Sequence, residues 1–200
     1  MTAALGIRLL FNPTKGWQTI REQKQSAVGV LLGHTAIFGL LPPLCAFYGT
    51  TQVGWTIGYA DPVRLTTESA LPISVIYYIV IVVSIFMLGK LIQWMSITYG
   101  SSRPFATCVS LAAFPATPLL LTGVVQLYPV LWLNYLIGLP ALIYSIYLLY
   151  SGTAILMELP QERAFLMASA ILAVCLIALV GVLAATVTLW GLGLGPGFMI

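Results

Sequence analysis

The sequence predicts an all-α polytopic membrane protein, a bundle of five transmembrane helices preceded by a short N-terminal interfacial helix. Three observations predict it. Asp, Glu, Lys and Arg make up only 6% of the 200 residues, against about a quarter in soluble domains. Hydrophobic residues reach 60% and the mean hydropathy is +1.02, more apolar surface than a soluble fold of this length could hide. The apolar residues also gather in stretches of about 20, the length that crosses a bilayer as a helix. None of these stretches alternates with the period of two that marks a membrane strand.

The elements follow in order. Residues 13–25 read as the interfacial helix, with Asn12 able to cap it and Pro13 suited to its first position. Trp17 and Ile20 share one face, while Arg21 and Lys24 reach toward lipid phosphates. The charges of this region, Arg8, Lys15, Arg21, Glu22 and Lys24, are too spread out for the head of a secretory signal, and the apolar stretch that follows is of full spanning length. The first span is expected at about Ala27–Tyr48 and contains His34. The second, about Leu71–Ile97, carries Lys90 near its end. The third, about Phe105–Leu127, is interrupted by Pro115 and Pro118. The fourth and fifth are expected at about Trp132–Tyr150 and Phe165–Trp190. The chain thus divides into an N-terminal segment (1–26), a transmembrane domain (27–190) and a Gly-rich tail (191–200) expected to fray. Gly49–Ala70, with Asp61, Arg64 and Glu68, is the long loop between the first two spans. No internal repeat is visible, and five helices do not split into two equal inverted halves, the commonest transporter plan.

Charge placement orients the bundle. With the N-terminus cytoplasmic, seven of the eight basic residues fall on the inner side and only Arg64 on the outer side. The positive-inside rule therefore places the N-terminus in the cytoplasm and the C-terminus in the periplasm of a bacterial inner membrane. The tryptophans agree as an aromatic belt, with Trp17 and Trp94 at the inner boundary and Trp55, Trp132 and Trp190 at the outer one.

Few side chains could carry chemistry. His34 is the sole histidine and lies inside a span, where an ionisable residue raises a functional hypothesis: a proton relay or a metal ligand. No Asp or Glu lies within any span, however, and one imidazole rarely makes a metal site, so a hydrogen-bonded packing residue is the plainer reading. Lys90 is close enough to the end of its helix to snorkel, beside Gln93 and Trp94, and reads as an anchor more readily than as a counter-ion for a substrate. Pro115 and Pro118 each remove a backbone donor from the third helix and strand carbonyls near Leu111 and Phe114. In lipid those carbonyls need another partner. Thr117 and Thr122 are close by, and Gly29, Gly33, Gly181 and Ala185 are candidate small neighbours. The break either lines a site or is a static kink. Glu158 and Glu162 are spaced i, i+4, but Pro160 between them spoils a shared helical face.

Other chemistry classes find no support. Cys45, Cys108 and Cys175 sit in apolar stretches without a disulfide or C-x-x-C pattern. No phosphate-binding loop, dinucleotide fingerprint or H-E-x-x-H motif occurs, and no basic run suits nucleic acid. No catalytic, cofactor or metal residue is assigned. Small residues at i, i+4 do mark helix seams: Gly29/Gly33, Ala112/Ala116, Ala141/Ser145 and Gly181/Ala185. The expected partners are membrane lipids, and other membrane proteins or a second copy through those seams.

The pattern resembles the Yip family, the Ypt/Rab-interacting five-span membrane proteins, and within it the short members of Gram-negative inner membranes. The resemblance runs from about Phe11 to Trp190. It rests on Asn12-Pro13 with Trp17 and Ile20, the run from Cys45 to Trp55, Phe114-Pro115-Ala116-Thr117-Pro118-Leu119, Tyr128 to Trp132, and Tyr147 to Gly152. It implies five spans with a cytoplasmic N-terminus. The vesicle-traffic role of the eukaryotic relatives does not carry over, because their acidic Asp-Leu-Tyr-Gly-Pro segment is missing from residues 1–26. Their Gly-Tyr-Ser element is also replaced around Phe114-Pro115-Ala116.

The function these readings favour is a non-enzymatic scaffold, adaptor or membrane organiser acting through helix packing and lipid contact. The alternative is a small transporter or channel subunit with its path at the Pro115/Pro118 break, and a wet or dry core at Pro115 separates the two. The orientation is testable directly: a reporter active only in the cytoplasm, fused after Ile200, is expected to stay silent, and a strong signal would reverse the topology.

Overall fold

The structure is a computed structural model that describes residues 2–55, 62–193 and 195–199. Among these residues, five helices are long and apolar enough to cross a membrane: Ala27–Val53, Thr67–Thr98, Phe105–Leu127, Leu131–Met157 and Gln161–Gly191. Each contains a span expected from the sequence. The first runs past Tyr48 to Val53 and the fourth past Tyr150 to Met157, because helices continue beyond the hydrocarbon until a turn residue stops them. Ser26 starts the first span by accepting the Gly29 amide on its hydroxyl at 3.0 Å. Glu158, in the left-handed region at φ 50°, ends the fourth.

The third span is the axis of the bundle. Two thirds of its apolar window (67%) is buried inside the protein, against 6% for the second and fifth spans. The first, second and fourth spans pack around it, and the fifth leans on the fourth. The second and fifth spans therefore turn most of their apolar surface to lipid, as an all-round hydrophobic helix should.

Two helices precede the first span: α1 (Thr2–Phe11) and α2 (Pro13–Gln23). The second coincides with the expected interfacial helix, although the Asn12 side chain makes no capping bond. The sequence reading placed no helix before it, yet α1 docks against the first and third spans, burying Thr2, Leu5, Gly6 and Leu9. The Tyr144 hydroxyl of the fourth span donates to the Leu10 carbonyl at 2.6 Å. That bond satisfies one of the carbonyls every helix leaves open at its C-terminus.

Trp17 corrects a second expectation. It is fully buried, not an interfacial belt residue. Its indole N–H donates to Ser151 Oγ at 3.2 Å, and its ring meets Phe114 edge-on at 6.3 Å between centroids. Gly152 makes room for it, since a Cβ there would lie 2.5 Å from the indole. Trp94, Trp132 and Trp190 remain exposed, as belt residues do.

At the opposite end, Gly54 (φ 82°) turns the chain so that Trp55 bridges to Val63 with backbone bonds of 3.0 and 2.9 Å. Arg64–Leu65 (β1) pairs antiparallel with Phe198–Met199 (β2). The Gly-rich tail therefore does not fray at this point: its backbone finds a partner in the first long loop, and Gly197 accepts the Thr66 amide at 3.0 Å. Asp61, expected in that loop, lies outside the described residues.

Gly152→Leu should fill the space the Trp17 ring occupies and expel α2 from the bundle. We expect a blue-shifted, buried Trp17 fluorescence in the native protein, isolated by replacing the other four tryptophans with Phe, and a red shift in the Gly152→Leu variant.

Candidate functional site

The third span breaks where its prolines predict. The α-helix from Phe105 ends at Ala113, Phe114–Ala116 form one 3-10 turn, and α-helix resumes at Thr117. Neither Pro115 nor Pro118 has an N–H to offer, so carbonyls one turn back are left over. The Phe114 carbonyl, freed by Pro118, accepts both the Thr117 amide across the 3-10 turn and the Thr117 hydroxyl at 2.6 Å; the Thr122 hydroxyl donates to the Leu119 carbonyl at 2.9 Å, one turn beyond the break. The carbonyl that Pro118 frees is thus satisfied locally by Thr117.

His34 meets the same point from the first span. Its Nε2 lies 3.0 Å from Thr117 Oγ1. The threonine has one proton, and the short bond to Phe114 uses it. With the hydroxyl proton on the Phe114 carbonyl, His34 donates through Nε2–H and Nδ1 is a lone acceptor. Nδ1 has no protein partner, and neither do the hydroxyls of Thr35 and Ser145. The imidazole is clasped between Phe38 and Phe114, with ring centroids at 5.0 and 4.6 Å. His34 sits on a π-helical turn, Leu31–Thr35, one residue wider than an α-turn. Such bulges aim a side chain that a regular helix would not present.

The fourth partner is α1. A Cβ on Gly6 would lie 2.6 Å from His34 Nε2 and 3.5 Å from Thr117 Oγ1. Glycine is thus the residue that lets a helix backbone lie directly on the hydrogen bond. Thr2 of α1 covers Gly33 in the same way. This corrects the expected neighbours of the break. Gly33 faces α1 and not the third span, while Gly181 has nothing within 4 Å of its would-be Cβ. The C-terminal half of the fifth span lies away from the break, and α1 takes the position a small-residue seam would have filled.

Of the sequence candidates, His34 and Thr117 therefore touch, Pro115 and Pro118 create the geometry between them, and Lys90 stands apart. The Lys90 ammonium sits 4.3 Å from the centre of the Phe105 ring and shares a surface cavity with Trp94 and Arg103. A cation over an aromatic face contributes about 0.5–2 kcal/mol, which suits an anchor at the bundle's end. Sequence reasoning missed Gly6, Thr2 and Tyr144. A Gly at the fifth position of a ten-residue helix was the available signal.

The chemistry of this node is limited. A single imidazole and neutral hydroxyls supply neither a carboxylate to orient the histidine nor a metal set; among the described residues no three His, Cys, Asp or Glu side chains gather. His34, Phe114 and Thr117 have no exposed surface. The node is a closed polar clasp in an apolar bundle.

The fold and the clasp define an all-helical integral membrane protein of five spans, built around a broken third helix. The Yip1 domain family model matches residues 7–183, and the chain belongs to that family. The chain is similar to the "Inner membrane protein YohC" of Escherichia coli strain K12, 35% identical over 185 residues that cover 92% of this chain and 95% of the relative. The protein of the same name from Escherichia coli O6:H1 strain CFT073 matches to the same extent. No solved structure matches.

Two substitutions test the clasp. Thr117→Val should leave the His34 Nε2 donor without a partner, while the Phe114 carbonyl keeps the backbone amide of residue 117, and lower stability by about 1–2 kcal/mol, since hydrogen bonds between membrane helices run below those in buried soluble cores. His34→Gln should cost less, because its amide can still donate to Thr117. Unfolding midpoints in detergent check the order; an equal or reversed order would show that the histidine does more than pack.

Proposed function

We propose that this protein is a non-enzymatic scaffold or adaptor of a bacterial inner membrane, working through helix packing and lipid contact, with its N-terminus cytoplasmic. The observation that carries the reading is the contrast between its two halves. The polar residues that could do chemistry, His34 and Thr117, meet in a closed contact between the first and third spans, over which α1 packs through Gly6. The outer half of the fifth span, by contrast, leaves Ile177, Val180, Leu183 and Val187 exposed among the described residues. Gly181, on the small-residue seam shared with Ala185, has open space beside it. A cleft of about 500 Å³ between the second and fifth spans, lined by Val83, Met87, Cys175 and Leu179, is apolar and open to acyl chains. The location of the Escherichia coli relatives supports the membrane assigned, and the basic residues gathered at one end support the orientation.

The transport alternative would need a wet path at Pro115, and the buried state of Phe114, Pro115 and Thr117 favours the scaffold. Proteoliposomes decide between them. Vesicles holding the purified protein should be as tight to protons, cations and small anions as protein-free vesicles. A protein-dependent flux that Pro115→Ala/Pro118→Ala abolishes would overturn the scaffold reading. A photo-crosslinking residue placed at Leu183 should give protein adducts in native membranes.

A further inference from the structure

A second feature lies at the bundle end that carries most of the charge, away from the His34 clasp. There a cavity of about 370 Å³ opens between the end of α2, the start of the third span and the end of the fourth. Arg21 and Lys24 of α2 and Arg103 ahead of the third span line it. Glu158 is the only acidic side chain on its wall, and it is paired with Arg103. That pair is the one salt bridge among the described residues, so Arg21 and Lys24 face the cavity without a carboxylate partner.

Backbone chemistry adds to the same field. The third span begins at the cavity wall, where Pro104 and Thr107 line it. Its first turn holds no acidic residue, and no side chain caps it. The amides of Phe105 and Ala106 find no carbonyl, since the first bonds of this helix run from Thr107 and Cys108 back to Pro104. Open amides at a helix start carry a partial positive charge and bind phosphate oxygens well. Lys24 ends α2 in the left-handed region at φ 41°, a conformation a lysine adopts only at a cost. Ile20 and Leu156 supply an apolar floor beside the cations.

We propose that this cavity is a binding site for a phosphate-bearing anion, with Arg21 and Lys24 as its principal side-chain ligands. The position at the end of the spans and the apolar floor favour the headgroup of an anionic phospholipid over free phosphate. The inference deepens the lipid-contact part of the function proposed above and rests on it for the source of the ligand. Arg103 is already paired and holds the wall in place, while Arg21 and Lys24 are free to pair with the anion. Arginine offers a fork that matches two phosphate oxygens, and lysine a point charge.

The test uses the full-length protein in detergent, titrated calorimetrically with dihexanoyl-phosphatidylglycerol, dihexanoyl-phosphatidylcholine and inorganic phosphate. Saturable binding of the anionic lipid is expected, with weaker binding of the zwitterionic one. Arg21→Gln/Lys24→Gln should weaken it by about tenfold or more, as the loss of charge-assisted hydrogen bonds implies. Both side chains are exposed, so the variant should keep the native unfolding midpoint. Lys15→Gln, on the same helix and outside the cavity, should bind like the native protein. Phosphate binding as tightly as the lipid would identify free phosphate as the source and still support the site. Saturable binding of neither anion, or a double variant that binds as tightly as the native chain, would overturn it. If the site fails while the Leu183 crosslinks persist, the scaffold reading stands without it.

Discussion

The structure turns on one constraint: a carbonyl exposed to hydrocarbon costs several kcal/mol, so every break in a membrane helix must be repaired by protein. The third span is the most buried of the five and contains Pro115 and Pro118. Where the Thr117 hydroxyl proton goes to the Phe114 carbonyl, His34 donates to Thr117 in turn. A donating histidine on a π-turn brings the first span close, and the remaining opening is just wide enough for a helix that presents glycine. The docking of α1 therefore follows from the prolines, through two side chains, Thr117 and His34, that each have one proton to place.

Part of this was legible from sequence. The charge poverty and the lengths of the apolar runs located five spans, and the proline pair located the break to within a turn. Helix α1 was not legible, because ten residues with an arginine are too short to span and too apolar to look interfacial. Its docking depends on tertiary contacts: Gly6 on His34, Thr2 on Gly33 and Leu10 on Tyr144. Trp17 was misread for a related reason. A belt tryptophan and a buried one carry the same flanking residues, and only Gly152 and Ser151, more than a hundred residues away, tell them apart. The pairing of the Gly-rich tail with Arg64–Leu65 is likewise a long-range backbone match without a side-chain signature.

The arrangement separates a rigid part from a presenting part. α1, α2 and the first, third and fourth spans form the packed core that holds Leu9, Trp17, Phe114 and Leu148. The second and fifth spans add Ile85, Ile92, Met95, Met167 and Ile171 to that core but turn most of their apolar surface outward, and that surface is what lipid or another membrane helix meets first. A core sealed by neutral hydrogen bonds has little reason to open, and spans with large free faces have every reason to pair. That division is what the proposed scaffold reading rests on.

The docking of α1 is the claim on which the rest depends, and amide hydrogen exchange of the full-length protein in lipid nanodiscs tests it most directly. If α1 is clasped between His34, Thr117 and Tyr144, the amides beyond its open first turn should exchange as slowly as those of the third span's buried half. Exchange of residues 6–11 at the rate of an unstructured peptide, with the third span still protected, would contradict the account.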